Sequence, residues 1–311
     1  MRFGLLYEQG GKDGDAAAIV EQSVAADAQG FDCLWIADRP RHERTLGSPA
    51  IVLAALAVRT RAIRLGSFTL IAIGHPVRTA EDFAVIDLLS GGRLNFGVTV
   101  GSDREDFRTY GVCFAERDAR RREALDIVLA AWSFDEFAYG GRYYQFPAHV
   151  TAGSGLARRR LGHGAYVPQW ERGPELPDFL TVTPKPLQQP RPPVWVLAEA
   201  TDCVTFAAEH GHSLVLPPAD LQQLQRASAM YEAALCQARR ARSEVEVALI
   251  VDLEVVHSRT SAEACAYLHQ LHGATGANQV IWRVPYPEVS HQEVMAALRQ
   301  VATEVQPMLQ A

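Results

Sequence analysis

The sequence predicts an α/β fold, a (β/α)8 barrel, and two observations carry the prediction. Over 311 residues, eight short segments rich in apolar or β-branched residues alternate with eight segments that space their apolar residues as helices do. The segment 63–101 reads as a strand, a helix and a strand, and such a unit holds its two strands in parallel. Eight units of this kind close most readily into a barrel, and an open doubly wound sheet is the lesser alternative.

The predicted elements follow one another in strict order. The predicted strands are 2–8, 31–37, the two ends of 63–101, 194–198, 213–216, 246–257 and 279–284. The predicted helices are 15–30, one that starts at Ser48, 76–90, 116–133, 201–211, 218–242, 260–273 and one that starts at Ser290. A helix separates each strand from the next, which is the order that a barrel requires.

Local signals set several of these boundaries. Pro76 is tolerated in a first helical turn, and Gly91 with Gly92 ends that helix, because glycine adopts backbone conformations that other residues avoid. Thr201 is expected to cap the helix after the fifth strand. Two capping boxes are predicted, Thr260 with Glu263 and Ser290 with Glu293.

The regular alternation lapses between residues 134 and 193. The segments 139–147 and 179–193 read as the two arms of a hairpin, and they flank a loop over 151–177 that is rich in glycine and arginine. A loop of this length is uncommon inside a compact domain, so it is either a lid or anion clamp, or an exposed basic surface loop. We predict a single domain, 1–311, with an insertion before strand five at about 134–193.

Composition narrows the range of partners. The formal net charge is −6 and the isoelectric point is near 5.9, and both argue against nucleic acid or an anionic membrane as the main partner. The apolar run at the N-terminus is too short for a signal peptide, and the run 50–58 is far shorter than a membrane span. We therefore expect a soluble, cytoplasmic protein.

Neither the cysteines nor the glycines form a recognisable binding motif. The five cysteines lack paired spacing, which favours reduced, buried thiols, and no metal site is predicted. A GxGxxG pattern is missing after the first strand, and GxxxxGK[ST] is missing throughout. The absence of these two motifs argues against a protein that binds a dinucleotide or a nucleoside triphosphate.

An ordered series of short motifs resembles the luciferase-like flavin monooxygenase family over nearly the whole chain. The motifs are Gly30-Phe31-Asp32 with Trp35, Leu65-Gly66-Ser67, His75-Pro76-Val77-Arg78, Glu81-Asp82, Asp87 with Ser90, Gly92 and Arg93, Phe96-Gly97, Asp106-Phe107, Glu116-Arg117 with Arg120 and Glu123, Pro184-Lys185-Pro186 and Pro192-Pro193-Val194-Trp195-Val196. The resemblance implies a (β/α)8 barrel, usually a homodimer, with reduced FMN or a deazaflavin in a cleft at the carboxyl ends of the strands. It also implies a separate flavin reductase that supplies the reduced flavin.

Three functions are compatible with this resemblance. The first is a monooxygenase that uses reduced FMN and O2 to oxygenate a small organic substrate. The second is a deazaflavin-dependent oxidoreductase of the same fold. The third is a catalytically silent subunit that binds flavin or serves as a partner.

The catalytic candidates follow the second strand, where the chain departs from the family. Bacterial luciferase has an acidic residue and two histidines there, whereas this chain has Asp38-Arg39-Pro40, with His42 beyond the matching place. His42 is a candidate acid or base, because the usual pKa of histidine lies near neutrality. Arg39 either supplies a fixed cation to flavin or an anionic substrate, or is simply solvated.

The remaining candidates come from positions that match the family's cleft. Two residues that would bind the cofactor phosphate are replaced in this chain. Val100 stands where luciferase has an arginine, and Ala200 stands where it has a small polar residue. The predicted cofactor-binding residues are Phe68, Thr69, Ser102, Arg117, Glu199, Ala200 and Thr201. The residues expected to line the substrate cleft are Tyr7, Glu8, Asp38, Trp282 and Arg283.

Overall fold

The computed structural model describes residues 1–8, 16–40, 47–147, 154–159, 179–284 and 289–310. These residues form two compact units. The first comprises 1–69, 93–99 and 193–311, and the second comprises 70–92 and 100–192.

The first unit holds a closed parallel barrel. Its strands are β1 (Arg2–Tyr7), β2 (Cys33–Ala37), β3 (Arg64–Thr69), β4 (Leu94–Val98), β8 (Val194–Leu197), β9 (Ser213–Leu216), β10 (Val247–Asp252) and β11 (Gln279–Val284), where β5 to β7 belong to the second unit. They pair in the order β1-β11-β10-β9-β8-β4-β3-β2 and back to β1. The predicted (β/α)8 barrel is confirmed, and the open sheet is excluded.

Helices connect the strands of the first unit. They are α1 (Ala16–Ala28), α2 (Pro49–Arg59), α6 (Thr201–His210), α7 (Leu221–Gln237), α8 (Glu254–His257), α9 (Ser261–Thr275), α10 (His291–Gln300) and α11 (Gln306–Gln310), with α3 to α5 in the second unit. Both predicted capping boxes are present, at the starts of α9 and α10.

Several predicted boundaries in this unit are wrong. The strand predicted to reach residue 257 ends at Asp252, because the chain enters the short helix Glu254–His257 directly after it. The helix predicted over 218–242 spans Leu221–Gln237, and Asp220 and Gln223 form a capping box at its start. Helix α9 runs to Thr275, beyond the predicted end at 273, and the left-handed Gly276 ends it. The N-cap of α6 is Ala200, without a side-chain hydrogen bond, so Thr201 is the first helical residue and not the cap.

Aromatic side chains fill the barrel interior. The Trp35 ring stacks on Phe68 at 4.6 Å between centroids and meets Trp195 edge-on at 5.6 Å. Room for Trp35 comes from the neighbouring strands, because a Cβ added to Gly66 or Gly97 would collide with the indole or with the atoms beside it. The interior is therefore packed as a solid core, as is usual in barrels of this kind.

One carboxylate anchors the turn that leads into β3. Asp27, at the end of α1, accepts hydrogen bonds from the backbone N–H groups of Arg61, Ala62 and Ile63 at 2.7–2.9 Å. Partial burial raises the pKa of Asp27, but the three hydrogen bonds and the nearby Arg93 outweigh it and lower the pKa below its usual value.

We expect Asp27→Asn to lower the free energy of unfolding by about 1–2 kcal/mol at neutral pH, because charge-assisted hydrogen bonds are lost. The pKa of Asp27 is lower in the folded protein than in the unfolded chain. Its contribution to the free energy of unfolding is therefore fully present above the unfolded-state pKa, and it is lost as the pH falls through the folded-state pKa. Urea unfolding of both proteins across the acid range measures this. A difference in the free energy of unfolding between the two proteins that is the same at every pH would contradict a role for the ionised Asp27 carboxylate.

The second unit contains three helices and a small antiparallel sheet. Its elements are α3 (Pro76–Leu89), α4 (Arg104–Thr109), α5 (Arg117–Ser133), β5 (Glu136–Gly140), β6 (Gln145–Phe146) and β7 (Gly155–Arg159). Pro76 begins α3, and Gly91 and Gly92 after it have φ angles of 67° and 83°, as predicted. Helix α4 lacks a counterpart among the predicted elements.

The predicted hairpin is wrong in its second arm. Strand β5 pairs with β6 and β7, so its long partner lies in the segment predicted to be a loop. Segment 179–193 meets β5 at a single bridge between Phe137 and Leu180. The five prolines of that segment explain the difference, because proline cannot donate a ladder hydrogen bond.

Candidate functional site

Polar side chains follow the barrel strands at their carboxyl ends. All strands of a parallel barrel end at one face, and in barrels of this kind the site lies there. We call this edge of the first unit the rim. Its polar residues are Glu8, Asp38, Arg39, Thr69, Thr99, Glu199, Asp252 and Arg283.

Four neighbouring strands contribute an arc of alternating charge to the rim. Arg283 Nε donates to Asp252 Oδ1 at 2.6 Å, and Arg283 Nη1 lies 3.6 Å from Glu8 Oε2. Arg39 Nη2 lies 3.3 Å from the same Glu8 oxygen. We call Asp252, Arg283, Glu8 and Arg39 the charged arc. Because β10, β11, β1 and β2 are adjacent in the barrel, closure of the barrel creates it.

The charged arc favours the charged form of Arg283. The hydrogen bond to Asp252 raises the pKa of Arg283, partial burial opposes this, and Glu8 reinforces it. The four side chains are 22–41% exposed, so solvent partly screens the pairs. Two guanidinium groups and two carboxylates leave the arc without net charge.

Hydroxyl groups occupy the other side of the rim. Ser67 Oγ and Thr69 Oγ1 share a hydrogen bond at 3.1 Å, and the Thr99 N–H donates to the Thr69 carbonyl at 3.1 Å. The Thr99 hydroxyl donates to the Glu199 carboxylate in a short hydrogen bond. The Glu199 carboxylate is thereby fixed beside the start of α6.

The aromatic core forms the floor beneath the rim. Trp35 Nε1 donates to Cys33 Sγ at 3.0 Å, and burial raises the pKa of this thiol to about 12, so Cys33 stays protonated. Trp195 is 3% exposed, and its Nε1 meets no hydrogen-bond acceptor among the described residues. A buried donor in this state favours a ligand or water that brings an acceptor.

The structure brings together several of the predicted residues. Glu8 contacts both Arg39 and Arg283, and Phe68 belongs to the aromatic floor. The Asp38 N–H donates to the Phe68 carbonyl at 3.2 Å, which ties the end of β2 to β3.

Two predicted cleft residues, Trp282 and Tyr7, point away from the barrel interior. Trp282 is fully buried and stacks on Phe3, with centroids 6.5 Å apart, whereas its neighbour Ile281 points into the interior cluster. Tyr7 shares the face of Phe3, because side chains alternate along a strand and Leu6 points inward. Trp282 and Tyr7 therefore do not line the cleft as predicted.

The other predicted residues have different surroundings. In the second unit, Arg117 Nη1 donates to the Phe114 carbonyl at 3.0 Å, and its guanidinium lies 4.0 Å from the centre of the Phe114 ring. Ser102 is exposed and precedes Asp103, the N-cap of α4. His42 lies outside the described residues, as does most of the predicted loop 151–177.

Sequence reasoning missed several residues of the rim and floor. The predicted site residues do not include Asp252, Thr99, Ser67, Trp35 and Trp195, although each lies in or just after a barrel strand. A systematic check of the first polar residue after each apolar strand finds Asp252 and Thr99. Trp195 carries no such signal, because a tryptophan in a strand is core by default.

In the parts of the chain that the structure describes, no three His, Cys, Asp or Glu side chains come together as a metal site. Among the described helices, none has the length and apolar character needed to cross a membrane.

Comparison with known proteins decides the family. The model of the family described as luciferase-like monooxygenase matches residues 1–306. The chain belongs to this family. In this luciferase-like chain, the polar rim lies at the carboxyl ends of the barrel strands.

Individual relatives are distant. The oxygenase component of flavin-dependent trigonelline monooxygenase from Acinetobacter baylyi is 24% identical over 80% of this chain and 61% of its own length. An F420-dependent glucose-6-phosphate dehydrogenase from Amycolatopsis mediterranei is 29% identical over 46% of this chain and 50% of its own length. The luciferase-like chain thus spans between half and two thirds of these relatives.

A solved structure shares the fold. The oxygenating constituent of 3,6-diketocamphane monooxygenase from Pseudomonas putida, solved in complex with FMN, superposes with a TM-score of 0.76. The match covers 99% of this chain and 98% of the other at 16% identity.

Proposed function

We propose that this chain is a flavin-dependent monooxygenase that takes reduced FMN from a separate reductase and uses O2 to oxygenate a small organic substrate. The family match over residues 1–306 carries the proposal. The trigonelline relative supports it, because that protein is named as a flavin-dependent oxygenase component. A component of this kind requires a second protein that reduces its flavin.

The rim and the floor fit the ring system of a flavin. The buried rings of Trp35 and Phe68 form a rigid apolar floor below the rim, and the hydroxyl groups of Thr69 and Thr99 lie at the rim. The bound cofactor would supply the activation of oxygen, and the protein would supply binding, orientation and a dry environment. In the proposal, Arg39 and Arg283 provide fixed positive charge beside the reacting ring.

The direct test supplies reduced FMN and labelled O2 to the purified protein with a panel of small organic substrates. Transfer of one labelled oxygen atom into a product, dependent on reduced FMN, is the expected result. Oxidation of the flavin without any labelled product across a broad panel would count against an oxygenase.

A deazaflavin-dependent oxidoreductase is the second candidate. The F420-dependent relative favours it, because a deazaflavin moves hydride without oxygen chemistry. Titration with reduced FMN and with reduced F420 separates the two. Hydride transfer with F420 alone would replace the first proposal, and binding of neither would leave a silent partner subunit.

We expect Arg39→Ala to lower kcat/KM about tenfold while leaving the unfolding midpoint nearly unchanged, because its ion pair with Glu8 is partly exposed. His42→Ala is expected to lower turnover as well, if this histidine supplies a proton. Steady-state kinetics with a matched surface variant, Arg78→Ala, measures both. Unchanged kinetics in Arg39→Ala and His42→Ala would place the chemistry elsewhere.

We also propose that the chain works as a homodimer and as one domain. Helix α2 supports a dimer, because Ile51 and Val58 are 73% and 66% exposed on it. Large apolar residues exposed together indicate an interaction surface. Sedimentation equilibrium gives the mass in solution, and a monomer at micromolar concentration would reject the dimer.

A cytoplasmic location also stays a prediction.

A further inference from the structure

Glu8 has hydrogen-bonding capacity that its neighbours in the charged arc do not use. Its Oε2 atom lies 3.3 Å from Arg39 Nη2 and 3.6 Å from Arg283 Nη1. Charge-assisted hydrogen bonds between such groups are about 2.7–2.9 Å long, so both contacts are ion pairs and not hydrogen bonds. Within the described residues the Glu8 carboxylate accepts no hydrogen bond, although its side chain is only 22% exposed. A partly buried carboxylate in this state favours a ligand that donates an N–H or an O–H.

Arg283 places hydrogen-bond donors beside this acceptor. Its Nε donates to Asp252 Oδ1 at 2.6 Å, which fixes one edge of the planar guanidinium. Its backbone is fixed as well, because the Leu253 N–H donates to the Arg283 carbonyl at 3.0 Å. The two Nη atoms carry the remaining N–H groups, and Nη1 lies 3.6 Å from Glu8. An acceptor and a set of donors therefore lie side by side on neighbouring strands.

The charge balance of the arc favours a neutral ligand. Two guanidinium groups alternate with two carboxylates along four adjacent strands. A ligand with a net charge would be attracted by two of these groups and repelled by the other two. A neutral group with an N–H beside a carbonyl adds no charge, yet it offers a donor to Glu8 and an acceptor to Arg283.

An apolar surface lies at the same end of the barrel. Ala37 and Leu197 are the last residues of β2 and β8, and both are partly exposed. They pack on the interior cluster that contains Trp35 and Phe68. A flat ring has apolar faces that suit such a surface, and polar groups along one of its edges suit the arc.

We infer that the charged arc binds the amide edge of a neutral heterocycle, which is the N–H and adjacent carbonyl of a lactam, a cyclic imide or a pyrimidinedione. Glu8 accepts the N–H of this edge, and Arg283 donates to the carbonyl oxygen beside it. The inference rests on the proposed function, because that function places the ligand at the rim. Two sources carry such an edge, the pyrimidinedione ring of a flavin-type cofactor and a small organic substrate.

The first arm of the experiment tests the cofactor as the source. Riboflavin and 3-methylriboflavin, in which a methyl group replaces the hydrogen of the N–H, are titrated into the purified protein while flavin fluorescence is followed. If the cofactor supplies the edge, we expect the methylated flavin to bind at least about tenfold more weakly, because a hydrogen bond to a charged group is lost.

The second arm tests a substrate as the source. Glutarimide and N-methylglutarimide are titrated into the protein saturated with FMN, and calorimetry gives both dissociation constants. If a substrate supplies the edge, we expect the same loss of at least about tenfold on methylation. A smaller ratio in both arms, or no binding of either unmethylated ring, would overturn the inference.

A variant assigns the discrimination to the arc. In Glu8→Ala we expect methylated and unmethylated rings to bind within about threefold of each other, because the acceptor is gone. Glu246→Ala is the matched control, since Glu246 pairs with Arg2 at the other end of β1, and it should keep the wild-type ratio. A ratio that persists in Glu8→Ala would mean that the methyl group acts by size alone, against the inference. The wild-type comparison does not depend on whether the variant folds.

The outcomes separate this inference from the proposed function. A preference for the unmethylated ring without oxygenation of any substrate would reject the oxygenase and leave the inference standing. Oxygenation of substrates that have no amide edge, together with equal binding of methylated and unmethylated rings, would reject the inference alone.

Discussion

Replacing Trp35 with alanine is expected to lower the free energy of unfolding by about 3–5 kcal/mol, the largest loss we foresee for a single side chain in the barrel. Trp35 is fully buried, stacks on Phe68 at 4.6 Å and meets Trp195 at 5.6 Å. Its removal opens a cavity bordered by Gly66 and Gly97, which have no side chains to fill it. Urea unfolding measures the loss.

Two controls identify the cause. Trp35→Phe keeps an aromatic ring on Phe68 and is expected to cost about half as much, because most of the cavity stays filled. Tyr110→Ala removes a ring that is half-exposed, and we expect a change of less than about 1 kcal/mol. A loss below about 1 kcal/mol in Trp35→Ala would mean that the interior relaxes around the void.

The barrel could be predicted from the order of the elements. The face of each strand to which a given side chain points could not be predicted. Strand and helix patterns alternate along the chain, so closure followed from counting them. A buried strand is apolar on both faces, however, and the sequence therefore could not tell that Trp35 and Ile281 point inward while Trp282 and Tyr7 point outward. That distinction needs the register of neighbouring strands.

The site was only partly predictable for a related reason. Glu8 and Arg283 lie near opposite ends of the chain, and the pairing of β1 with β11 brings them together. Each residue was expected at the cleft because it follows or ends a strand. Their contact, and the part that Asp252 plays in holding Arg283, appear only when the barrel is closed. The charge at α6 was visible in the sequence, but its fixation by Thr99 was not.

Replacing Arg283 with methionine is expected to lower kcat/KM by about tenfold to a hundredfold, the largest functional loss among the rim variants. Arg283 contacts both carboxylates of the charged arc, Asp252 at 2.6 Å and Glu8 at 3.6 Å. Methionine keeps an unbranched apolar stem but removes the cation, which leaves both carboxylates without this partner and the arc with a net negative charge. Steady-state kinetics with the reduced cofactor measures the effect.

The arc also predicts how this loss can be repaired. Because the pairs are 22–37% exposed, we expect Arg283→Met to lower the free energy of unfolding by less than about 1 kcal/mol, so the defect should be one of function and not of folding. Adding Asp252→Asn restores the charge balance of the arc and should recover part of kcat/KM. A double variant that is no better than Arg283→Met would show that the guanidinium acts by direct contact with the ligand, and not by balancing its neighbours. Full activity in Arg283→Met would remove the charged arc from the site.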